Sequence, residues 1–136
     1  RRSCDNFGGV LNAMPFIEDL KSINTQGYDY VAVCDSDIAM KKNPFEIEFD
    51  FAGVQDDNNP RHFSGQLLLY KRNIFNSVVN FPLYKEAVKE MEKEKISLAD
   101  DTIMSYVATM LTTNTHNFQG EDYWVHDKFY SLEPKD

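Results

Sequence analysis

Two aspartates, Asp35 and Asp37, stand two residues apart directly after a run of apolar residues. The run from Tyr30 to Cys34 reads YVAVC, and its small and β-branched residues are typical of a strand buried on both faces, as in a parallel sheet. The acids would then lie at the carboxyl end of that strand, where open α/β sheets bind ligands. Carboxylate oxygens suit a hard cation such as Mg²⁺ or Mn²⁺. The stretch predicts a metal site; two solvated acids in an exposed turn are the alternative.

Two further acids and a histidine could also take part in chemistry. Asp100 and Asp101 follow Ser97, and Ser97 with Asp100 forms a variant of the capping box, which predicts a helix over 98–111. Both acids would fall in its first turn, where the helix dipole favours negative charge even in a purely structural role. His126, in the sequence WVHDK, carries an imidazole that can bind a metal. A surface or core-edge histidine is the alternative there.

The elements that must position these residues are strands and helices in mixed order. We expect helices at 13–26, 73–79, 82–95 and 98–111, and strands at 29–34, 51–55 and 66–70. Loops should cover 39–50, with a turn at Asn43-Pro44, the polar stretch 56–60, and the aromatic stretch 118–130. This order predicts an α/β fold with a mixed sheet and flanking helices. One more βα unit before residue 1 would complete the sheet better, so we expect an N-terminally incomplete chain.

The bulk properties narrow the class of protein. A chain of 136 residues forms one domain at most, here 1–136, and can build one hydrophobic core. With a net charge of −8 and no basic cluster it is a poor nucleic-acid binder, because phosphate contacts need Lys and Arg. No apolar run approaches the length of a membrane span. Two cysteines, Cys4 and Cys34, make no disulfide framework, which favours an intracellular, cytoplasmic setting.

In this order the parts resemble metal-dependent glycosyltransferases with the GT-A fold. The resemblance rests on YVAVCDSDI followed by Asn43-Pro44-Phe45, on the short strand FAGVQ with its polar turn, on HFSGQLLLYKR, on LADDTIMSYV, and on the late His126. Together these motifs cover roughly residues 12–128. Small viral members, such as those of chlorella viruses, and bacterial members are the most similar in plan. The chain has too little sequence before Asp35 for the whole Rossmann-like half with which such enzymes usually start.

The resemblance implies a nucleotide-diphosphate sugar as donor, a UDP-sugar first of all, and Mn²⁺ or Mg²⁺ as cofactor. Asp37 would hold the metal directly, and Asp35 would lie by the ribose and share the metal. Ser36 would belong to the same donor-binding turn, and His126 would complete the coordination. Ser64 and Gly65 would line the sugar pocket, with glycine allowing the backbone to come close.

The resemblance also assigns the acceptor side, which would take a sugar or a glycan. In an inverting enzyme Asp100 or Asp101 would be the general base that takes the proton of the acceptor hydroxyl. In a retaining enzyme the same position would hold hydroxyls of the donor sugar. Trp124 would stack on an acceptor sugar or, in the alternative, fill a place in the core.

Two other functions fit parts of the same pattern. A phosphohydrolase of the haloacid-dehalogenase class also puts Asp-x-Asp after a buried strand, with the first Asp as nucleophile. Its Gly-Thr-like turn and its later Gly-Asp-x-x-x-Asp are not matched by Ile38-Ala39 and by Gly120-Glu121-Asp122. A non-catalytic module that binds carbohydrate or Ca²⁺ could use Asp35, Asp37, Asp56 and Asp57. The lack of an all-β pattern counts against a lectin-like sandwich.

Overall fold

A computed structural model describes residues 16–80, 84–95 and 100–126, with the backbone alone at 85, 100, 101 and 126. It is a mixed α/β structure with a mixed sheet and flanking helices, as the sequence predicts at this level. We name residues 16–21, which are helical, α1. The other helices are α2 (Arg72–Val79), α3 (Tyr84–Lys93) and α4 (Asp100–Leu111). The strands are β1 (Tyr30–Cys34), β2 (Ile38–Met40), β3 (Phe51–Asp56), β4 (Asn59–Lys71), β5 (Thr115–Asn117) and β6 (Trp124–His126).

The main sheet is built around the long strand β4. The order of its strands is β1-β4-β3-β5, and β4 runs antiparallel to both of its neighbours. Among the strands that the structure describes, β3 and β5 are the one parallel pair. Strands β2 and β6 form a separate antiparallel pair. The expected strands at 29–34, 51–55 and 66–70 are therefore all present, but the described part of the sheet is mainly antiparallel rather than parallel.

The prediction that β1 is buried on both faces is wrong for the described structure. Among the described residues β1 pairs with β4 alone, so it forms an edge of the sheet, and Ala32 and Cys34 are exposed. Cys34 is a free thiol at the surface rather than a small apolar residue of the core. Val31 and Val33 are half-buried and pack against the helical side. An apolar run predicts a strand, but how deeply the strand is buried depends on elements from distant parts of the chain.

Strand β4 is longer than the expected QLLLY, because it begins at Asn59. The polar stretch 56–60 contains a two-residue hairpin turn at Asp57 and Asn58, a common length for such connections. The side chain of Asp56 closes this turn by accepting a hydrogen bond from the backbone N of Asn58 at 2.8 Å. Pro60, which has no N–H to donate, lies in the part of β4 beyond the reach of β1.

Helices cover one face of the sheet, close to where the periodicity places them. The expected helix 73–79 is α2, and the described parts of 82–95 and 98–111 contain α3 and α4. The start expected near Ala13 lies outside the described residues. The helical stretch ends at residue 21, earlier than expected, and Gly27 lies in a separate turn with φ +88°. Within the described ranges, no helix combines the length and apolarity needed to cross a membrane.

The two faces of the sheet bury two separate cores. The larger core joins all four helices to strands β3 and β4, and its most buried side chains include Ile17, Phe51, Phe63, Tyr70, Phe75, Met91, Ile103, Tyr106 and Val107. The smaller core lies on the other face and contains Phe49, Ala52, Leu67, Leu69 and Phe118, with Tyr123 and Trp124 packed against it. The loop expected at 39–50 holds β2 and a 3₁₀ turn, Pro44–Glu46, capped by the Asn43 side chain. The irregular stretch expected from 118 contains β6.

Candidate functional site

The acidic turn joins the main sheet to the small one. After Cys34 the ladder between β1 and β4 continues for one more step, because the backbone N of Asp35 donates to the carbonyl of Gln66 at 3.0 Å. Ser36 and Asp37 then form a turn, and β2 starts at Ile38. Asp35 and Asp37 are half-buried and Ser36 is exposed. Their place at the end of a strand agrees with the sequence prediction, and hydrogen bonds on both sides fix the turn.

The pairing of β2 with β6 places the backbone of His126 beside this turn. Strand β6 pairs with β2 so that His126 stands opposite Ile38 and Trp124 opposite Met40. The backbone of His126 therefore lies beside the residue that directly follows Asp37. Among the side chains that the structure describes, no three His, Cys, Asp or Glu residues form a group that could hold a metal. The imidazole of His126 is not one of those side chains.

Ser64 and Gly65 lie in an irregular part of β4, directly before Gln66, the residue that bonds Asp35. Between the pairs Gly53–Leu68 and Gln55–Phe63, β3 has only residue 54 whereas β4 has residues 64–67. Such bulges re-aim side chains and are frequent beside active sites. The irregularity brings Leu67 O so close to β3 that a Cβ on Gly53 would lie 2.9 Å from it. The structure thus places Asp35 opposite Gln66, the residue that directly follows the serine and glycine predicted for the sugar pocket.

Gln66 connects the parts of this site, although no motif in the sequence points to it. Its carbonyl accepts from Asp35, and its side-chain Oε1 accepts from Trp124 Nε1 at 3.2 Å. Ser64 Oγ accepts from Gln66 N at 3.3 Å and from Gln66 Nε2 at 3.4 Å. Trp124 is half-buried and lies edge-on against Phe118, with ring centroids 5.1 Å apart. Trp124 thus packs against the smaller core while its indole N–H bonds Gln66 in the site. This contact depends on the bulge in β4, which the sequence does not predict.

The first turn of α4 is tied to the beginning of β4. Ser105 Oγ accepts from the backbone N of Phe63 at 3.2 Å, and Thr102 Oγ1 lies 3.5 Å from His62 Nε2. Asp100 and Asp101 start α4, so their backbone stands at the end of the sheet that carries Ser64. The helix predicted around these acids is present, with their carboxylates outside the described side chains.

A second polar group, which includes the Asp56 named above as a candidate Ca²⁺ ligand, lies beside that helix. His62 Nδ1 is 3.2 Å from Asp56 Oδ2, so a carboxylate, an imidazole and the Thr102 hydroxyl form a row from the β3–β4 hairpin to α4. The hydrogen bond from Asn58 N, and then the one from His62, hold the pKa of Asp56 below its usual range. The carboxylate of Asp56 is therefore already hydrogen-bonded to its own hairpin and to His62. Asp57 accepts from Gln119 Nε2 at 3.4 Å.

An open cavity of about 500 Å³ adjoins the acidic turn on the sheet face opposite the helices. Cys34 and Ile38, which flank the turn, line it together with Ala32, Met40, Phe45, Leu67 and Leu69. Lys41 and Lys42 stand at the same cavity; Lys41 pairs with Asp122 at 2.7 Å, and Lys42 lies over the ring of Tyr123. The cavity is mainly apolar, and among the described residues that line it the charged ones are the two lysines.

Comparisons with family models, with curated proteins and with solved structures found no match to this chain.

Proposed function

We propose that this chain is a metal-dependent glycosyltransferase domain of the GT-A type. It would move a sugar from a nucleotide-diphosphate sugar, a UDP-sugar first of all, to a hydroxyl of a sugar or glycan acceptor. The observation that supports the proposal most is a convergence at one end of the sheet. There the turn Asp35–Asp37, the bulge with Ser64 and Gly65, and the backbone of His126 come together from three separate parts of the chain.

The types of metal-binding residue at this turn suit a hard divalent cation. Two carboxylates lie two residues apart at the end of one strand, and a histidine stands one residue further on across the β2–β6 pair. Oxygen ligands with one imidazole suit Mn²⁺ or Mg²⁺. Asp35, Asp37 and His126 would hold the metal. When bound, it would supply Lewis-acid stabilisation of the charge that develops on the departing diphosphate.

The protein groups would bind the donor and remove a proton from the acceptor. Ser64 lies two residues before Gln66, whose carbonyl accepts from Asp35 N, and its hydroxyl would hydrogen-bond an oxygen of the donor. The acceptor oxygen forms a new bond to the anomeric carbon while the bond to the diphosphate breaks, and the acceptor proton must leave. In an inverting reaction the carboxylate of Asp100 or Asp101 would take that proton. In a retaining reaction the same acids would hold the hydroxyls of the donor sugar.

The first test is thermal stability with UDP-, GDP- and ADP-sugars, each with and without Mn²⁺. A ligand at a hundred times its dissociation constant stabilises the folded form by about 2.7 kcal/mol. For a chain of this size that raises the melting temperature by about 8 °C. The proposal expects a shift that needs both Mn²⁺ and the donor and that disappears in Asp37→Ala. Asp19→Ala, which removes an exposed acid of α1, should keep the shift.

The controls separate the proposal from its alternatives. A shift with Mn²⁺ alone, or with Ca²⁺ alone, and none on adding a donor would favour a binding module. Release of phosphate from a simple phosphomonoester, lost in Asp35→Asn, would favour the phosphohydrolase. A donor-dependent shift that survives in Asp37→Ala would contradict the role given to the acidic turn.

A further inference from the structure

We propose that Gln66, ordered by Trp124, is a positioning residue that aims the Ser64 hydroxyl at the donor. The inference rests on the proposed function and adds to it a chain of hydrogen bonds from β6, through Gln66, to Ser64. Neither Gln66 nor the indole nitrogen of Trp124 was singled out by the sequence. The class of ligand group is an oxygen that accepts a hydrogen bond, on either the diphosphate or the sugar.

The first step is the orientation of the Gln66 amide. An indole Nε1–H can only donate, so the atom it meets at 3.2 Å must be the carbonyl Oε1 of Gln66. The Nε2 group of the same amide then points to Ser64 Oγ at 3.4 Å. Trp124 thereby decides which end of the amide faces Ser64. With the indole N–H removed, the amide could turn over and present its oxygen instead.

The second step is the state of the Ser64 hydroxyl. Both hydrogen bonds that Ser64 Oγ makes with described residues are accepted ones, from Gln66 N and from Gln66 Nε2. A serine hydroxyl has one proton to donate and two lone pairs that accept. With both lone pairs engaged, its proton is left for an outside acceptor. A reversed amide would instead take that proton on Oε1 and leave the ligand without its donor.

The third step is location. The carbonyl of Gln66 accepts from Asp35 N at 3.0 Å, so the same residue fixes the start of the acidic turn and the direction of the Ser64 hydroxyl. The bulge at residues 64–67 allows both, because it takes this part of β4 out of the regular ladder with β3. Trp124 lies two residues before His126 on β6. One hydrogen-bonded chain thus links the strand of the proposed metal histidine to the proposed sugar pocket.

A double-mutant cycle on donor binding tests this chain. The assay is calorimetric titration of the whole protein with UDP-glucose in Mn²⁺, or with the sugar nucleotide that stabilises it most. Trp124→Phe keeps an aromatic side chain at the smaller core but removes the indole N–H together with part of the bicyclic ring. We expect about fivefold weaker binding, the loss of one neutral hydrogen bond. Ser64→Ala should weaken binding by a similar factor. Because both act through one hydroxyl, Trp124→Phe should cost nothing further in the Ser64→Ala protein.

The matched variants separate positioning from structure. Tyr123→Phe removes a neighbouring hydroxyl that donates to Glu46 Oε1 at 2.9 Å. This hydroxyl takes no part in the hydrogen bonds from Trp124 to Ser64, so the substitution should leave donor binding unchanged. Gln66→Met keeps the shape of the side chain without the amide and should behave as Trp124→Phe does. Titration with UDP alone identifies the ligand oxygen that accepts from Ser64. An equal loss of affinity for UDP and UDP-glucose places this oxygen on the diphosphate, and a loss of affinity for UDP-glucose alone places it on the sugar.

Two results would overturn the inference. If Trp124→Phe weakens binding by the same factor in the wild-type and Ser64→Ala backgrounds, the tryptophan acts independently of Ser64 and the positioning chain is wrong. The proposed function then still stands, because the wild-type protein binds its donor. If the wild-type protein binds no nucleotide sugar with Mn²⁺, the proposed function and this inference fall together.

Discussion

Gly53→Ala tests whether the bulge that carries the candidate site is packed as the structure shows. The added Cβ would stand 2.9 Å from Leu67 O, 3.3 Å from Phe63 Cδ2 and 3.4 Å from Leu68 Cδ2. The nearest atom belongs to the backbone of β4, so it cannot move away by a side-chain rotation. Relief requires a shift of the bulge itself, and the same bulge holds Ser64 and Gln66.

The magnitude follows from two opposing effects. Overpacking a well-packed interior costs about 1–3 kcal/mol, and a backbone clash belongs at the upper end of that range. Replacing glycine by alanine also restricts the unfolded chain, which returns about 0.4–1 kcal/mol. The free energy of unfolding should therefore fall by about 2 kcal/mol. That corresponds to a melting temperature lower by about 6 °C.

Urea unfolding monitored by circular dichroism measures the loss, with Gly120→Ala as control. A Cβ on Gly120 meets nothing within 4 Å, but its φ of +80° strains any other residue by about 1–2 kcal/mol. Only Gly53→Ala should also weaken donor binding, because Gly120 lies in a turn outside the site. A Gly53→Ala protein as stable as wild type, with unchanged donor affinity, would refute the packing described for the bulge.

Two further changes test the surroundings of the site. The hydrogen bonds from Asn58 N and from His62 lower the pKa of Asp56 in the fold. Its contribution to stability is therefore present above the unfolded carboxyl pKa near 4 and is lost as pH falls through the folded value. Asp56→Asn should flatten the acid limb of a stability–pH curve measured by urea unfolding, and an unchanged limb would contradict the stabilising role of these two hydrogen bonds. Arg61 Cζ lies 3.6 Å from the ring centroid of Tyr106, so Arg61→Ala should cost about 1–2 kcal/mol in the same assay, more than Arg61→Lys, and equal losses would argue against stacking.

The sequence predicted local structure well where composition and local geometry act together. The helices around Phe75 and Ile103, the turn at Asn43-Pro44 and the strand at Phe51 are all present. The position of the acidic pair at the end of a strand was also correct. These features depend on a few neighbouring residues, whose periodicity, caps and breakers are visible in the chain itself.

Features that depend on distant pairing could not be predicted in the same way. The apolar run from Tyr30 to Cys34 looked like a strand buried on both faces, but Ala32 and Cys34 are exposed, and within the described sheet the strand pairs with β4 alone. Strands β5 and β6 have three residues each, too few for an alternating pattern to show. The contacts of Gln66 with Ser64 and Trp124 depend on the bulge in β4. The contacts of His62 with Asp56 and Thr102 depend on the β3–β4 hairpin and on the packing of α4.

The most direct measurement of the proposed function is cleavage of the donor. The whole chain is incubated with the nucleotide sugar that stabilises it, and free sugar and nucleoside diphosphate are followed by NMR, with and without Mn²⁺. A transferase without its acceptor slowly passes the sugar to water, so we expect cleavage that requires the metal. The rate in Asp37→Ala should be lower by about a hundredfold. Cleavage that proceeds equally without metal, or equally in Asp37→Ala, would contradict the assignment of the acidic turn as the catalytic metal site.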